Sequence, residues 1–194
     1  AATPAATGPG LVLHDNLGRS WRNEMVTFSP STADLALARH GDALLGPGGA
    51  EVAYQIVDDA SGKPKVAFCA DLDAFETRSY RFARQPGHAA TDLVVETGGD
   101  VIRLSNSATG IALRTTLTGD AGPVAALRLH SGQWVGGSKL LGTKAFNSYS
   151  TKVLAKGPVF AEVQCRAEGA DHHLWQARFR IFANAPVVTV EETS

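Results

Sequence analysis

Apolar residues in this chain recur with a period of two, and segment 173–184 (HLWQARFRIFAN) shows the pattern most plainly. Trp175, Ala177, Phe179 and Ile181 fall on one side of an extended chain, and Gln176, Arg178, Arg180 and Phe182 on the other. Successive side chains of a strand point to opposite faces, so this rhythm specifies a ribbon with one buried face. It returns at 11–14, 25–28, 51–58, 65–72 and 78–84. A second series runs through 92–97, 101–106, 111–117, 124–131, 149–156, 159–167 and 187–192. The spacing predicts an all-β protein of short antiparallel strands.

Turn chemistry sits between these segments. GPGG at 46–49, DASGKP at 59–64, TGGD at 97–100, SATG at 107–110 and TGDAGP at 118–123 all interrupt the alternation. The short Gly-containing loop between 101–106 and 111–117 predicts a hairpin. One segment reads two ways. In 31–45 (STADLALARHGDALL) the alternation of Leu35 and Leu37 with Ala36 and Ala38 points to a strand followed by a turn. A short helix capped by Ser31 or Thr32 is the alternative.

With 194 residues the chain is long enough for one large sandwich or two small β-units, each with its own core. Alternation stops at RQPGHAAT (84–91), so the expected organisation is a flexible segment 1–10, a β-barrel-like unit 11–88 and a β-sandwich unit 89–194. The last segment, PVVTVEETS, closes on a strong strand with no tail, which reads as a piece of a larger protein.

The formal net charge is −1 and Lys and Arg are scattered, which argues against a phosphate-binding nucleic-acid surface. No apolar stretch approaches the length needed to cross a bilayer, so no membrane partner is expected. The opening AATPAATGPG has neither the cationic segment nor the apolar core of an export signal. It reads as the start of a mature secreted or periplasmic chain, or as a trimmed linker.

Cys165 shares its face with Ala161, Val163 and Ala167, so it and Cys69 are expected to be small buried hydrophobes. A disulfide in an oxidising compartment is the alternative. Two cysteines alone cannot build a structural zinc site. The six histidines are isolated, except for His172 and His173, which point to opposite faces of a strand. Neither a metal nor another cofactor is expected. Asp71, Asp73, Glu76, Glu162 and Glu168 are carboxylates, but nothing in their spacing pairs them for acid–base work. No catalytic residue is assigned.

Aromatic side chains are the remaining handle on function. Sugars present apolar C–H faces that stack on rings, while polar groups meet their hydroxyls. Trp175, Tyr80 and Phe82 fall on apolar faces and are read as core. Trp134 lies in the Gly-rich stretch 132–148, and Lys144, Asn147 and Tyr149 follow it closely. Loops of that length in compact domains are often functional, so Trp134, Lys144, Asn147 and Tyr149 form the candidate ligand-binding set.

WRNEMVTF at 21–28, GAEVAYQIVD at 49–58, VAFCADL at 66–72 and RSYRF at 78–82 follow one another in order. This order resembles the N-terminal β-barrel of the exo-rhamnogalacturonan-lyase-like proteins. VVETGGDVIRLSNSATGIALRTTL at 94–117 resembles the opening of the β-sandwich found in many large glycan-active enzymes. The resemblance implies a glycan-processing parent whose catalytic machinery lies in a later helical domain, outside this sequence. It transfers no catalytic residue.

The leading expectation is therefore a non-catalytic accessory β-region of a secreted polysaccharide-degrading enzyme, a lyase by resemblance. Its partner would be a polysaccharide, an acidic one on that reading, and a missing C-terminal catalytic domain. An extracellular structural or adhesive module is the second reading. A self-contained glycan lyase or hydrolase is the third; it would need a base and a charge neutraliser.

Overall fold

The computed structural model describes residues 10–141, 146–169 and 173–193. The chain divides into two compact units, Ala1–Thr91 and Asp92–Ser194. Among the described residues both are all-β, apart from one α-helix and one short 3-10 turn in the first.

The first unit contains β1 (Leu11–His14), β2 (Trp21–Phe28), α1 (Thr32–His40), β3 (Asp42–Leu45), β4 (Glu51–Val52), β5 (Tyr54–Asp58), β6 (Pro64–Leu72) and β7 (Thr77–Pro86). Two antiparallel sheets form, ordered β1-β7-β3-β4 and β2-β6-β5. They remain open at their margins and do not close into a barrel, which corrects the barrel-like expectation for this unit. Their shared core holds Val66, Phe68, Ala70 and Leu72 from β6, Tyr80 and Phe82 from β7, and Leu37 and Ala38 from α1. The Phe68 and Tyr80 rings lie 4.6 Å apart.

Residues 32–40 form a helix, so the strand reading of this segment is corrected. Both ends carry the reason. The Ser31 hydroxyl accepts from the Asp34 N–H at 3.1 Å, and Gly41 closes the helix in the left-handed region at φ 84°. Leu37 and Ala38, adjacent on the helix, are buried together. The Tyr54 hydroxyl then clips the helix C-terminus to β5, lying 2.9 Å from both the Ala38 and the Asp42 carbonyl oxygens. Removing the cap with Ser31→Ala is expected to lower the stability of the first unit by about 1 kcal/mol, read from the urea midpoint by circular dichroism.

The second unit is a sandwich of two meanders. One comprises β8 (Val94–Gly98), β9 (Val101–Ser105), β10 (Gly110–Arg114), β11 (Val124–Arg128) and β12 (Trp134–Val135). The other comprises β13 (Phe146–Lys156), β14 (Phe160–Gly169), β15 (Leu174–Phe182) and β16 (Val188–Thr193). Within each sheet the spatial order follows the chain order, so every neighbour is reached by a hairpin. Ile102, Leu104, Ile111 and Leu113 face Ala161, Val163, Cys165, Ala177, Phe179 and Ile181 across the core. These are alternate residues of β9, β10, β14 and β15, as a two-layer sandwich requires.

Cys69 and Cys165 are free thiols, the first half-buried on β6 and the second fully buried on β14. Burial pushes both thiols up from their ordinary value, which disfavours the reactive thiolate. No helix among the described residues is long and apolar enough to cross a membrane.

Candidate functional site

Because Ile102, Leu104, Ile111 and Leu113 point into the core, the residues between them point outward. The registers align those outward residues across the whole five-stranded sheet. Val94 opposes Ser105, Ser105 opposes Gly110, Gly110 opposes Arg128, and Arg128 opposes Trp134. The next row runs Glu96, Arg103, Ala112 and Ala126. Of these, Val94, Glu96, Arg103, Ser105, Arg128 and Trp134 line a shallow groove of about 690 Å³ on the outer face of the sheet.

Gly110 lies directly beneath Trp134. A Cβ there would lie 3.0 Å from the Trp134 ring and 2.9 Å from the Leu104 carbonyl oxygen. The absent side chain lets the indole lie down over β10 instead of standing away from it. The Arg103 guanidinium sits 5.9 Å from the Trp134 ring centroid, at cation–π range. Its Nη1 is 4.0 Å from Glu96 Oε2, a loose and solvent-exposed ion pair. Arg128 Nη1 donates to the Asn106 carbonyl at 2.8 Å, which fixes the second guanidinium along the groove wall.

One end of the groove is built from polar loops whose groups are committed to the fold. Asn106 is buried; its Nδ2 donates to the Phe182 and Ala185 carbonyls at 2.7 Å each, and its Oδ1 accepts from the Ala108 and Thr109 N–H groups. Asp92 accepts from the Ser107 hydroxyl and N–H and from the Asn184 N–H. Burial alone would raise the Asp92 carboxyl, but these three bonds outweigh it and hold it below the usual carboxylate range. The groove thus has a rigid rim, one aromatic plate and two oriented guanidinium groups. That is equipment for holding a ligand.

The residues expected from sequence are divided among different places. Trp134 lies in the groove. Asn147 is exposed, with its Nδ2 3.4 Å from the Gly169 carbonyl. Tyr149 packs against the sandwich core, and its hydroxyl donates to the Arg114 carbonyl at 3.0 Å. Burial, first of all, pushes that phenol far above its ordinary value. Arg114 and Gly110 mark opposite ends of β10, so the structure does not bring Tyr149 and Trp134 together. Lys144 lies outside the described residues. Arg103, Arg128, Ser105 and Gly110 are not in the expected set, although alternation with Ile102, Leu104 and Ile111 places Arg103, Ser105 and Gly110 on the outer face.

The carboxylates weighed for acid–base chemistry are taken up elsewhere. Asp73 pairs with Arg22 at 2.5 Å, Glu76 with Arg78 at 2.9 Å, and buried Glu162 accepts from Arg180 Nε at 2.6 Å. Asp71 accepts from the Asn23 N–H at 2.6 Å. The hydrogen bond from Arg22 holds Asp73 below its ordinary range, and that from Arg78 does the same for Glu76. A general acid needs the opposite displacement. Among the described residues no three His, Cys, Asp or Glu side chains are grouped as metal ligands. No protein-family model matches the chain, and no curated protein matches it.

Proposed function

We propose that this chain is a non-catalytic β-region that holds a polysaccharide against the outer face of its five-stranded sheet. Its parent, on the resemblance of the segment order, is a secreted polysaccharide-degrading enzyme, a lyase. The observation that carries this reading is the Trp134 indole laid over Gly110 in a groove that Arg103 and Arg128 also line. A pyranose ring stacks its C–H face on an indole, and planar guanidinium groups donate to hydroxyl and carboxylate oxygens alike. An open groove on a sheet accepts a chain lying across it, where an enclosed pocket would demand a chain end.

Affinity electrophoresis in gels containing acidic plant or microbial polysaccharides tests the proposal. At least one polysaccharide should retard the wild type, and Trp134→Ala should weaken that binding by about tenfold, equivalent to about 1.4 kcal/mol. No retardation in any gel, or retardation that Trp134→Ala leaves unchanged, removes the proposal. A second reading, an adhesive module without a sugar site, draws on Leu17 and Phe75, which are 68% and 69% exposed in adjoining loops of the first unit. Under that reading Trp134→Ala has no effect on any glycan, while Phe75→Ala weakens attachment.

A further inference from the structure

Not every polar group of the groove is committed to the fold. Glu96 on β8 and Arg103 on β9 oppose each other across the strands, and only Ala112 and Ala126 follow in their row. Arg103 Nη1 stands 4.0 Å from Glu96 Oε2, about 1 Å longer than a closed charge-assisted hydrogen bond. The two side chains are 46% and 63% exposed, and among the described residues the Glu96 carboxylate has no other partner. The Arg180–Glu162 pair of the opposite sheet behaves differently. It too joins neighbouring strands, but it is closed, with Arg180 Nε 2.6 Å from Glu162 Oε2, and Glu162 is buried. The Arg103 guanidinium also lies 5.9 Å from the Trp134 ring centroid, so the open pair borders the aromatic plate.

We infer that Glu96 and Arg103 together bind two neighbouring hydroxyl groups of the sugar ring that stacks on Trp134, an inference that rests on the polysaccharide reading of the groove. An ionised carboxylate only accepts hydrogen bonds, and a guanidinium only donates them. A hydroxyl does both. Two hydroxyls on adjacent ring carbons therefore donate to Glu96 and accept from Arg103 at once. Because the pair is open, neither group must first break a closed bond within the protein. No ion matches the pair as well. A carboxylate bonded to Arg103 is repelled by Glu96 beside it, and an ammonium bonded to Glu96 is repelled by Arg103. On an acidic chain the pair thus takes hydroxyls, and the chain's own carboxylate lies elsewhere. Both side chains stand on regular strands in a fixed register, so the sheet sets their separation before any ligand arrives.

Affinity electrophoresis in the acidic polysaccharide gels tests the inference with two substitutions that separate hydrogen bonding from bare charge. Glu96→Gln keeps the shape but removes the charge-assisted acceptor, and should weaken binding by about tenfold. Arg103→Lys keeps the positive charge but loses the planar fork, and should weaken binding by about fivefold. If the two residues acted only as charges beside a polyanion, Glu96→Gln would tighten binding and Arg103→Lys would match the wild type. Both side chains are solvent-exposed, so both variants should keep the wild-type circular dichroism. Binding that Glu96→Gln leaves unchanged or tightens, or that Arg103→Lys leaves unchanged, overturns the inference. When Trp134→Ala still weakens binding in the same gels, the polysaccharide reading survives that failure. A wild type that no gel retards overturns both.

Discussion

Phe68→Ala is expected to destabilise the first unit by about 4 kcal/mol, the usual cost of truncating a fully buried phenylalanine. Phe68 has no exposed surface and sits on β6, the middle strand of its sheet. Its ring meets Phe28 edge-on at 6.1 Å and Tyr80 at 4.6 Å, so it joins the two sheets of this unit. Truncation removes the apolar transfer term and leaves a cavity between walls that the sheet registers hold apart. A unit of this size has stability of the same order as that loss, so much of the variant's first unit unfolds at 37 °C. Urea denaturation followed by circular dichroism reads the change. Phe75→Ala is the control, because Phe75 is 69% exposed and its truncation should shift the midpoint by less than about 1 kcal/mol. Equal effects of the two substitutions would mean that the first unit is not organised around Phe68.

The sandwich was legible in sequence because its two faces differ in chemistry. Trp175, Ala177, Phe179 and Ile181 point inward, as their alternation requires, and the 101–106/111–117 pair forms the β9–β10 hairpin. Segment 32–40 was harder, because its leucines two residues apart suit a strand and its alanines suit either state. The end signals, Ser31 and Gly41, decided it, and both were visible in the sequence. The groove was legible only through Trp134. Its other strand members come from β8, β9 and β11, and strand registers bring them side by side. No spacing rule prints such a register. Tyr149 misleads for the same reason: it is close to Trp134 along the chain, but its strand belongs to the opposite sheet and turns the ring into the core.

Asp15→Asn should lower the melting temperature of the first unit by on the order of 10 °C near neutral pH. This carboxylate is buried and accepts four hydrogen bonds. Oδ1 takes the Leu17 N–H at 3.1 Å and the Trp21 indole N–H at 3.0 Å; Oδ2 takes the Arg19 N–H at 3.0 Å and the Phe75 N–H at 2.8 Å. An asparagine keeps one acceptor oxygen and turns an NH₂ group toward the other pair of donors, so two of the four bonds are lost and replaced by donor-to-donor contact. Phe75 is one of the four donors that this carboxylate holds. It sits at φ 59°, a left-handed backbone conformation that costs a non-glycine residue energy and that the bond to Asp15 helps to hold. The same bonds, the one from Phe75 foremost and that from Trp21 next, hold the Asp15 carboxyl well below the ordinary carboxylate value of 3.8. A depressed folded-state value stabilises fully above the unfolded-state value and is lost as pH falls through the folded one. The stability gap between wild type and Asp15→Asn should therefore be widest above about pH 5 and should shrink steadily below about pH 4. Thermal melts of both proteins from pH 7 to pH 2 measure it. A gap independent of pH would mean that Asp15 holds the two loops by shape alone, without its charge.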